Sequence, residues 1–208
     1  MGIWMPYLLF SGGGYYSIGL DDHWDPDWGN KYWSMVPYFQ GQRVDIKFLP
    51  SSGYFAGKGS TKPSPFLAHP LWLCSLEVKE QIESVEGGVH QFRPFKLRRS
   101  KTGPVVAEYF TMNFCDPLDT IDVARSDPKI VKFRPVRSKN GGKLLEISRG
   151  HLRDQGTGVA LVPNAAGNRH AWADTRTQSY QYVFVSDHLY EKLMPFIEKR
   201  HIWAQKTL

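Results

Sequence analysis

Cysteine is nearly absent from this sequence, since Cys74 and Cys115 are the only two among 208 residues. Each lies in an apolar or strand-like stretch, which favours two buried thiols over a disulfide framework. Neither lies in a turn next to a base that would favour the thiolate. The sequence therefore predicts a protein of a reducing compartment and argues against Cys–His catalysis.

Long apolar runs and long polar linkers are also missing. The N-terminal stretch "MGIWMPYLLFSGGGYY" lacks a positively charged first region and reaches glycines after a short apolar run. It therefore predicts neither a signal peptide nor a membrane span, and we expect a cytoplasmic protein. Because no linker divides the chain, we expect one domain over residues 1–208, with a loop-rich part at 1–65 and regular elements over 70–208.

Motifs for cofactors fail when they are counted. "GYFAGKGS" has only three residues between its first two glycines, and Gly59 stands where a phosphate loop needs a hydroxyl side chain. "SGGGYYS" lacks the third glycine of a dinucleotide fingerprint and is not followed by a helix pattern. The seven histidines lie singly along the chain. We therefore predict no cofactor, no metal site and no catalytic residue.

Two stretches of the sequence repeat one pattern. "LWLCSLEVKEQIESVEGGVHQF" begins at Leu71 and "YVFVSDHLYEKL" begins at Tyr182, and Ser75 aligns with Ser186 at a spacing of 111 residues. Each predicts a short apolar strand, a serine N-cap, an amphipathic helix and a returning strand with an aromatic residue. The pattern indicates either an internal duplication or two similar units that arose separately.

This pattern predicts an α+β fold in which two strand–helix–strand units pack on a mixed sheet. The helix spacing places four apolar residues on buried faces, namely Val78, Ile82, Leu189 and Leu193. "PVVAEYFTMNF" predicts a central strand, and "DPLDTIDVARSD" predicts a short helix or a pair of turns. "KFRPVRSKNGGKLLEISRG" predicts a hairpin that turns at Asn140 and Gly141, and "GVALVP" predicts a short strand. Pro195 must kink the closing helix or start a new turn.

The net charge of +6 is concentrated in the middle of the chain. Residues 93–153 hold fourteen basic and six acidic side chains. Such a surface could follow the phosphates of a nucleic acid, dock an acidic protein, or simply be solvated.

The segment "DDHWDPDWGNKYW", residues 21–33, combines aspartates with three tryptophans around Pro26. Its spacing matches no calcium loop, so we interpret it as a rigid aromatic surface loop suited to anchoring a basic protein partner. The alternative is that its tryptophans cover the core. The predicted binding residues are Trp24, Asp25, Asp27, Trp28 and Trp33, with Arg98 and Arg99 as a charged rim.

Three motifs together resemble a known family. "EYFTMNFCDPLDTIDVARSD" runs from Glu108 to Asp127, "PLWLCSLEVKEQIE" precedes it, and "VFVSDHLYEKL" leads to a last strand "IWAQKTL". In order and spacing they resemble immunity family eleven of the bacterial polymorphic-toxin immunity proteins. The resemblance covers about half of the chain, within 70–208, while the N-terminal third agrees loosely through "YWSMVPYFQGQ".

The resemblance implies a non-enzymatic cytoplasmic antitoxin that binds a cognate toxin effector, usually over the toxin's active site. It implies no cofactor, and its partner would be a protein and not a membrane or a nucleic acid. Two alternatives from other classes remain open. One is a nucleic-acid-binding module that uses the basic surface, and the other is an enzyme that uses Cys115 or the Asp-rich segment.

Overall fold

Short strands make up most of the regular structure in the computed structural model, which describes residues 3–8, 18–21, 36–56, 65–68, 71–135, 143–147, 158–176, 182–196 and 202–206. The strands are β1 (Ile3–Leu8), β2 (Ile18–Leu20), β3 (Ser52–Phe55), β4 (Phe66–Ala68), β5 (Trp72–Cys74), β6 (Gln91–Arg98), β7 (Val105–Asn113), β8 (Pro117–Leu118), β9 (Val131–Pro135), β10 (Lys143–Ile147), β11 (Ala171–Asp174), β12 (Val183–Ser186) and β13 (Ile202–Lys206). The helices are α1 (Val36–Phe39), α2 (Leu76–Glu86) and α3 (Asp187–Leu193), and 3-10 turns cover Ile46–Phe48 and Met194–Phe196.

Among the described residues, the strands form three sheets. The first has six strands in the order β2-β3-β6-β7-β5-β4, the second has five in the order β13-β1-β12-β11-β8, and β9 pairs with β10 alone. The two larger sheets are mixed, because β3 runs parallel to β6 and β8 runs parallel to β11 while their other pairs are antiparallel. The predicted α+β class is confirmed.

Both predicted helices begin at the serine caps. The Ser75 hydroxyl accepts from the backbone N–H of Val78 at 3.5 Å, and the Ser186 hydroxyl accepts from that of Leu189 at 3.2 Å. These bonds satisfy a donor that has no partner within the first turn of a helix. Pro195 lies in the 3-10 turn that follows α3, so the prediction of a new turn is confirmed.

The two strand–helix–strand units share one topology. β5 and β6 flank β7, and β12 and β13 flank β1, with the middle strand antiparallel to both neighbours in each case. On the outer side, β4 pairs with β5 as β11 pairs with β12. The strand order β4-β5-β7-β6 therefore matches β11-β12-β1-β13. This match supports a duplication at the level of topology, although the middle strand follows the first unit and precedes the second along the chain.

The core between the two units contains the four predicted helix residues. Val78, Ile82, Leu189 and Leu193 are all buried, and they pack in one cluster with Met112 of the first sheet. Ala171, Val183 and Val185 of the second sheet belong to the same cluster. The predicted burial is confirmed, but the helices cover two sheets and not one. The reason is that β5 and β12, which lead into them, pair with different strands.

Some predictions for the remaining segments are confirmed and others are wrong. The hairpin is confirmed by the antiparallel pairing of β9 with β10, while its turn at Asn140 and Gly141 lies outside the described residues. The central strand is confirmed as β7. "DPLDTIDVARSD" forms β8 and turns, so its helix alternative is wrong. "GVALVP" contributes only an isolated bridge from Leu161 to Ile121, and the predicted strand is wrong there.

A short segment around α1 joins the two larger sheets. The buried Tyr38 hydroxyl donates to the Met112 carbonyl at 3.0 Å and accepts from the Trp72 N–H at 3.3 Å. Gly41 ends this segment with φ +72°, and a Cβ atom there would lie 2.7 Å from the Ala173 Cβ. Only glycine fits both this backbone angle and this contact without strain. The first sheet is thereby fixed to β11 of the second.

Candidate functional site

The predicted charged rim lies at the end of the β6–β7 hairpin. Arg98 ends β6 half-buried, and its guanidinium forms an ion pair with the Asp21 carboxylate. Arg99 is exposed in the following turn, where its N–H donates to the Pro104 carbonyl at 3.0 Å. The two arginines therefore differ, because Arg98 holds the chain next to β2 while Arg99 faces solvent.

The predicted aromatic loop begins beside this rim. Its candidate residues Trp24, Asp25, Asp27, Trp28 and Trp33 lie outside the described residues. Asp21, the first residue of that segment, is described: its N–H donates to the Ser52 carbonyl at 3.4 Å, and its side chain meets Arg98. The Asp-rich segment therefore starts at the edge of the six-stranded sheet, next to the predicted rim.

The basic surface predicted from the charge distribution is divided between internal and exposed groups. Arg93 donates to backbone carbonyls and Arg98 pairs with Asp21, so both are used within the fold. Lys96, Arg99 and Lys101 are exposed around the end of the hairpin. Fewer cations are therefore directed at solvent than the sequence suggests.

Sequence reasoning missed an exposed turn before β3. Asp45 and the residues of the 3-10 turn, Ile46–Phe48, are exposed, while the next residue, Leu49, is buried. Arg93 Nη1 donates to the carbonyls of Ile46 at 3.2 Å, Lys47 and Leu49. We name Asp45, the 3-10 turn and Leu49 the Asp45–Leu49 turn. The sequence signal was an aspartate N-cap followed by three large apolar residues within four positions.

A buried carboxylate connects α2 with the second sheet. Glu86 accepts from the backbone N–H groups of His170 at 2.6 Å and Ala171 at 2.8 Å, and from His90 Nε2 at 3.1 Å. His90 Nδ1 accepts from the Cys115 N–H at 3.1 Å, which places the ring proton on Nε2. Burial alone would raise the pKa of Glu86, but these hydrogen bonds outweigh it and lower the pKa.

The acidic motif around Asp119 also has a structural role. The buried Asp174 carboxylate accepts from the N–H groups of Thr120 and Ile121, both at 3.2 Å. Arg176 binds Asp174 at 2.9 Å and Asp119 at 2.7 Å. These contacts fix the loop that follows β8 against β11, so Asp174 and the exposed Asp119, which is paired with Arg176, both stabilise the fold.

The two thiols are buried, as predicted. Burial raises the pKa of Cys115 to about 11 and raises that of Cys74 as well. Both therefore remain protonated near neutral pH and are poor nucleophiles. Within the part of the chain that the structure describes, no group of three or more His, Cys, Asp or Glu side chains is placed to hold a metal ion.

Comparison with protein families tests the resemblance that the three motifs suggested. The sequence model of the Immunity protein family (Imm11) matches residues 25–206. The chain belongs to this family. A comparison with curated proteins found no match. The resemblance inferred from three motifs is confirmed, and the match also includes most of the loop-rich N-terminal third.

In this Imm11 chain, the three motifs, taken in chain order, all form parts of the scaffold. The first forms β5 and most of α2, the second runs from β7 through the loop fixed by Asp174, and the third forms β12 and α3. All three surround the core between the two units. The three motifs therefore report the scaffold, while the Asp45–Leu49 turn and the arginine rim lie outside these motifs but within the matched residues 25–206. None of the described helices is long and apolar enough to cross a membrane.

Proposed function

We propose that this protein is an antitoxin that binds one cognate bacterial toxin and blocks the toxin's active site. The observation that carries the proposal is the Immunity protein family match over residues 25–206. We further propose that residues 1–208 act as one binding domain in the cytoplasm and protect the cell that makes the toxin during competition between bacteria.

The chemistry of the described side chains agrees with binding more than with catalysis. The carboxylates of Glu86 and Asp174 accept hydrogen bonds from backbone N–H groups, and the pKa of Cys115 is raised by burial. Such groups stabilise the fold but are poorly placed to attack a substrate. We therefore propose a non-enzymatic mechanism without a cofactor.

Nucleic-acid binding is the alternative that the basic segment suggested. It is weakened because Arg93 and Arg98, two members of the first basic cluster, are held by carbonyls and by Asp21. A phosphate-tracking surface needs guanidinium and ammonium groups that point to solvent. We retain it as an outcome that the experiments below would detect.

Co-expression with the product of the adjacent gene, tested as the toxin, examines the proposal. We expect the two proteins to co-purify as a complex and the protein to restore growth of cells that express the toxin. A chain with Leu193→Ala, made in parallel, shows whether protection requires the folded scaffold. Absence of both a complex and protection, with the parent protein folded, would contradict the proposed function.

The predicted aromatic segment gives a specific binding test. We hypothesise that Trp24 and Trp28 anchor the complex and that Asp25 and Asp27 face cations at the toxin's substrate cleft, with Trp33 beside them. Replacing Trp24 and Trp28 together by alanine should weaken toxin binding by at least about 2 kcal/mol, because rigid aromatic anchors dominate interface energies. Calorimetry on variants whose melting temperatures match the parent would measure this change.

A matched variant of the arginine rim completes that test. Replacing Arg98 and Arg99 by alanine should have a smaller effect that fades as salt is added, since rim charges are screened. Unchanged affinity in the folded tryptophan variant, together with a large loss in the arginine variant, would move the interface away from the tryptophans and toward the basic surface.

A further inference from the structure

The Asp45–Leu49 turn presents two large apolar side chains to solvent. Phe48 is 62% exposed and Ile46 is 45% exposed, although they are separated by a single residue. Single exposed apolar residues are ordinary on protein surfaces, but a pair in one short turn is a candidate contact surface. Leu49 and Pro50, which follow directly, are buried, so the turn is anchored at its base.

Hydrogen bonds within the turn and from β6 hold the turn in place. The Asp45 carboxylate accepts from the Lys47 N–H at 3.1 Å, and the Phe48 N–H donates to the Asp45 carbonyl at 2.9 Å. Gln91 of β6 binds both backbone groups of Val44, accepting from its N–H at 3.0 Å and donating to its carbonyl at 2.7 Å. A turn fixed in this way loses little conformational entropy when a partner binds.

The turn carries positive charge around its apolar tip. Arg43, Lys47 and Arg93 are the cations in and beside it, and Asp45 is the one carboxylate among these four residues, which leaves an excess of two positive charges. Lys47 Nζ lies 2.9 Å from Asp45 Oδ2 and 5.4 Å from the centre of the Phe48 ring. Because potentials across an interface are complementary, this excess of positive charge favours a partner whose facing surface is acidic.

The arginines beside the turn are poorly suited to binding phosphates. Arg43 Nη2 donates to the carbonyls of Gly88 at 2.6 Å and Val89 at 2.8 Å, and Arg93 Nη1 is directed at three carbonyls. Their charge is available to a partner, but these donors are committed to the backbone. The arrangement therefore favours an apolar, acid-rimmed protein cleft over a nucleic acid, which needs donors directed at its phosphates.

We infer that the Asp45–Leu49 turn inserts Ile46 and Phe48 into an apolar cleft of the cognate toxin whose rim is acidic. This inference rests on the proposed function and adds a second contact, which differs from the tryptophan segment in sequence and charge. Arg93 and Arg98 are five residues apart on β6, so the turn and the arginine rim are separated by about 16 Å along the strand.

A paired substitution tests the apolar part of the inference. Replacing Ile46 and Phe48 together by alanine should raise the Kd for the purified toxin domain at least about 30-fold, the loss expected of an anchor pair. The matched control is Phe133→Ala with Val162→Ala, a similar pair elsewhere that is 45% and 43% exposed. Calorimetry on both variants, with melting temperatures equal to the parent's, should give a Kd near the parent's for the control variant alone.

A charge reversal tests the acidic rim. Lys47→Glu should weaken binding more at low than at high salt, whereas Lys132→Glu, at an exposed position on β9, should leave the Kd within about threefold of the parent's. If Lys47→Glu strengthens binding, the facing surface of the toxin is basic and the inference is overturned.

The outcomes separate this inference from the proposed function. If the parent chain does not bind the toxin domain, the proposed function fails and the turn has no toxin to contact. If the parent binds and the Ile46/Phe48 variant binds equally well, only the inference fails. Titration of the same proteins into a labelled single-stranded RNA tests the nucleic-acid alternative. If replacement of Phe48 abolishes RNA binding but leaves toxin binding unchanged, the assignment to a protein partner is overturned.

Discussion

Replacing Glu86 by glutamine is expected to lower the free energy of unfolding by about 3 kcal/mol, because buried donors that lose their acceptor cost about 1 to 3 kcal/mol each. The carboxylate accepts from three donors, on His90, His170 and Ala171. A glutamine keeps one acceptor oxygen. Its amide nitrogen is a donor and would face N–H groups, which cannot accept a hydrogen bond. The link from the end of α2 to β11 would therefore be weakened, because one oxygen no longer accepts a hydrogen bond. Urea unfolding followed by circular dichroism measures the change.

Glu80→Gln is the matched control, because Glu80 lies on the same helix and is exposed. It should change the free energy of unfolding by less than about 0.5 kcal/mol. Equal unfolding midpoints for the two variants would contradict a stabilising role for the Glu86 network.

The same carboxylate predicts a dependence of stability on pH. The pKa of Glu86 is lowered in the folded protein, so its contribution is complete above the unfolded value of about 4.3 and is lost as the pH falls through the folded value. The Glu86→Gln variant lacks this titration. The difference in stability between parent and variant should therefore shrink below about pH 4, while it stays constant at neutral pH.

Leu193→Ala is expected to cost about 2 to 5 kcal/mol, through lost apolar burial and the cavity that remains. Leu193 is 3% exposed and packs in the core cluster that unites the two sheets. Its loss removes contacts from both units, so collapse of one helix alone cannot fill the space. Chemical denaturation with an unchanged m-value would give the free energy directly.

Met194→Ala provides the control for this prediction. Met194 follows Leu193 directly but is 57% exposed, so its truncation should change the free energy of unfolding by less than about 0.5 kcal/mol. A Leu193→Ala variant as stable as Met194→Ala would show that the core between the helices does not stabilise the fold.

Local patterns in the sequence were sufficient to predict the capped helices. Ser75 and Ser186 each stand between an apolar strand and an amphipathic helix, and these signals depend only on residues within a few positions. The hairpin of β9 and β10 was predicted for the same reason. The short strand expected in "GVALVP" was wrong, because only Leu161 found a bridge partner and pairing depends on distant strands.

The candidate contact surfaces were only partly predictable. Arg98 and Arg99 are adjacent in the sequence and were grouped as one rim, but Asp21 binds only the first of them. Asp45 before Ile46 and Phe48 signals a turn, but their apolar character is that of core residues and gave no sign that they are exposed. Arg93, which fixes their turn, lies more than forty residues away. Such contacts follow from chain topology, which no short pattern encodes.

The sequence by itself determined the α+β class, the two serine-capped units, the buried thiols and the resemblance to an immunity family, because each depends on residue type and near-neighbour spacing. Only the tertiary structure decided that the two units lie on separate sheets with matching strand order, that Glu86 and Asp174 fasten distant segments, and that the Asp45–Leu49 turn is held outward. The physical reason is that strand pairing and the hydrogen bonding of buried polar groups are satisfied by partners far away in the chain.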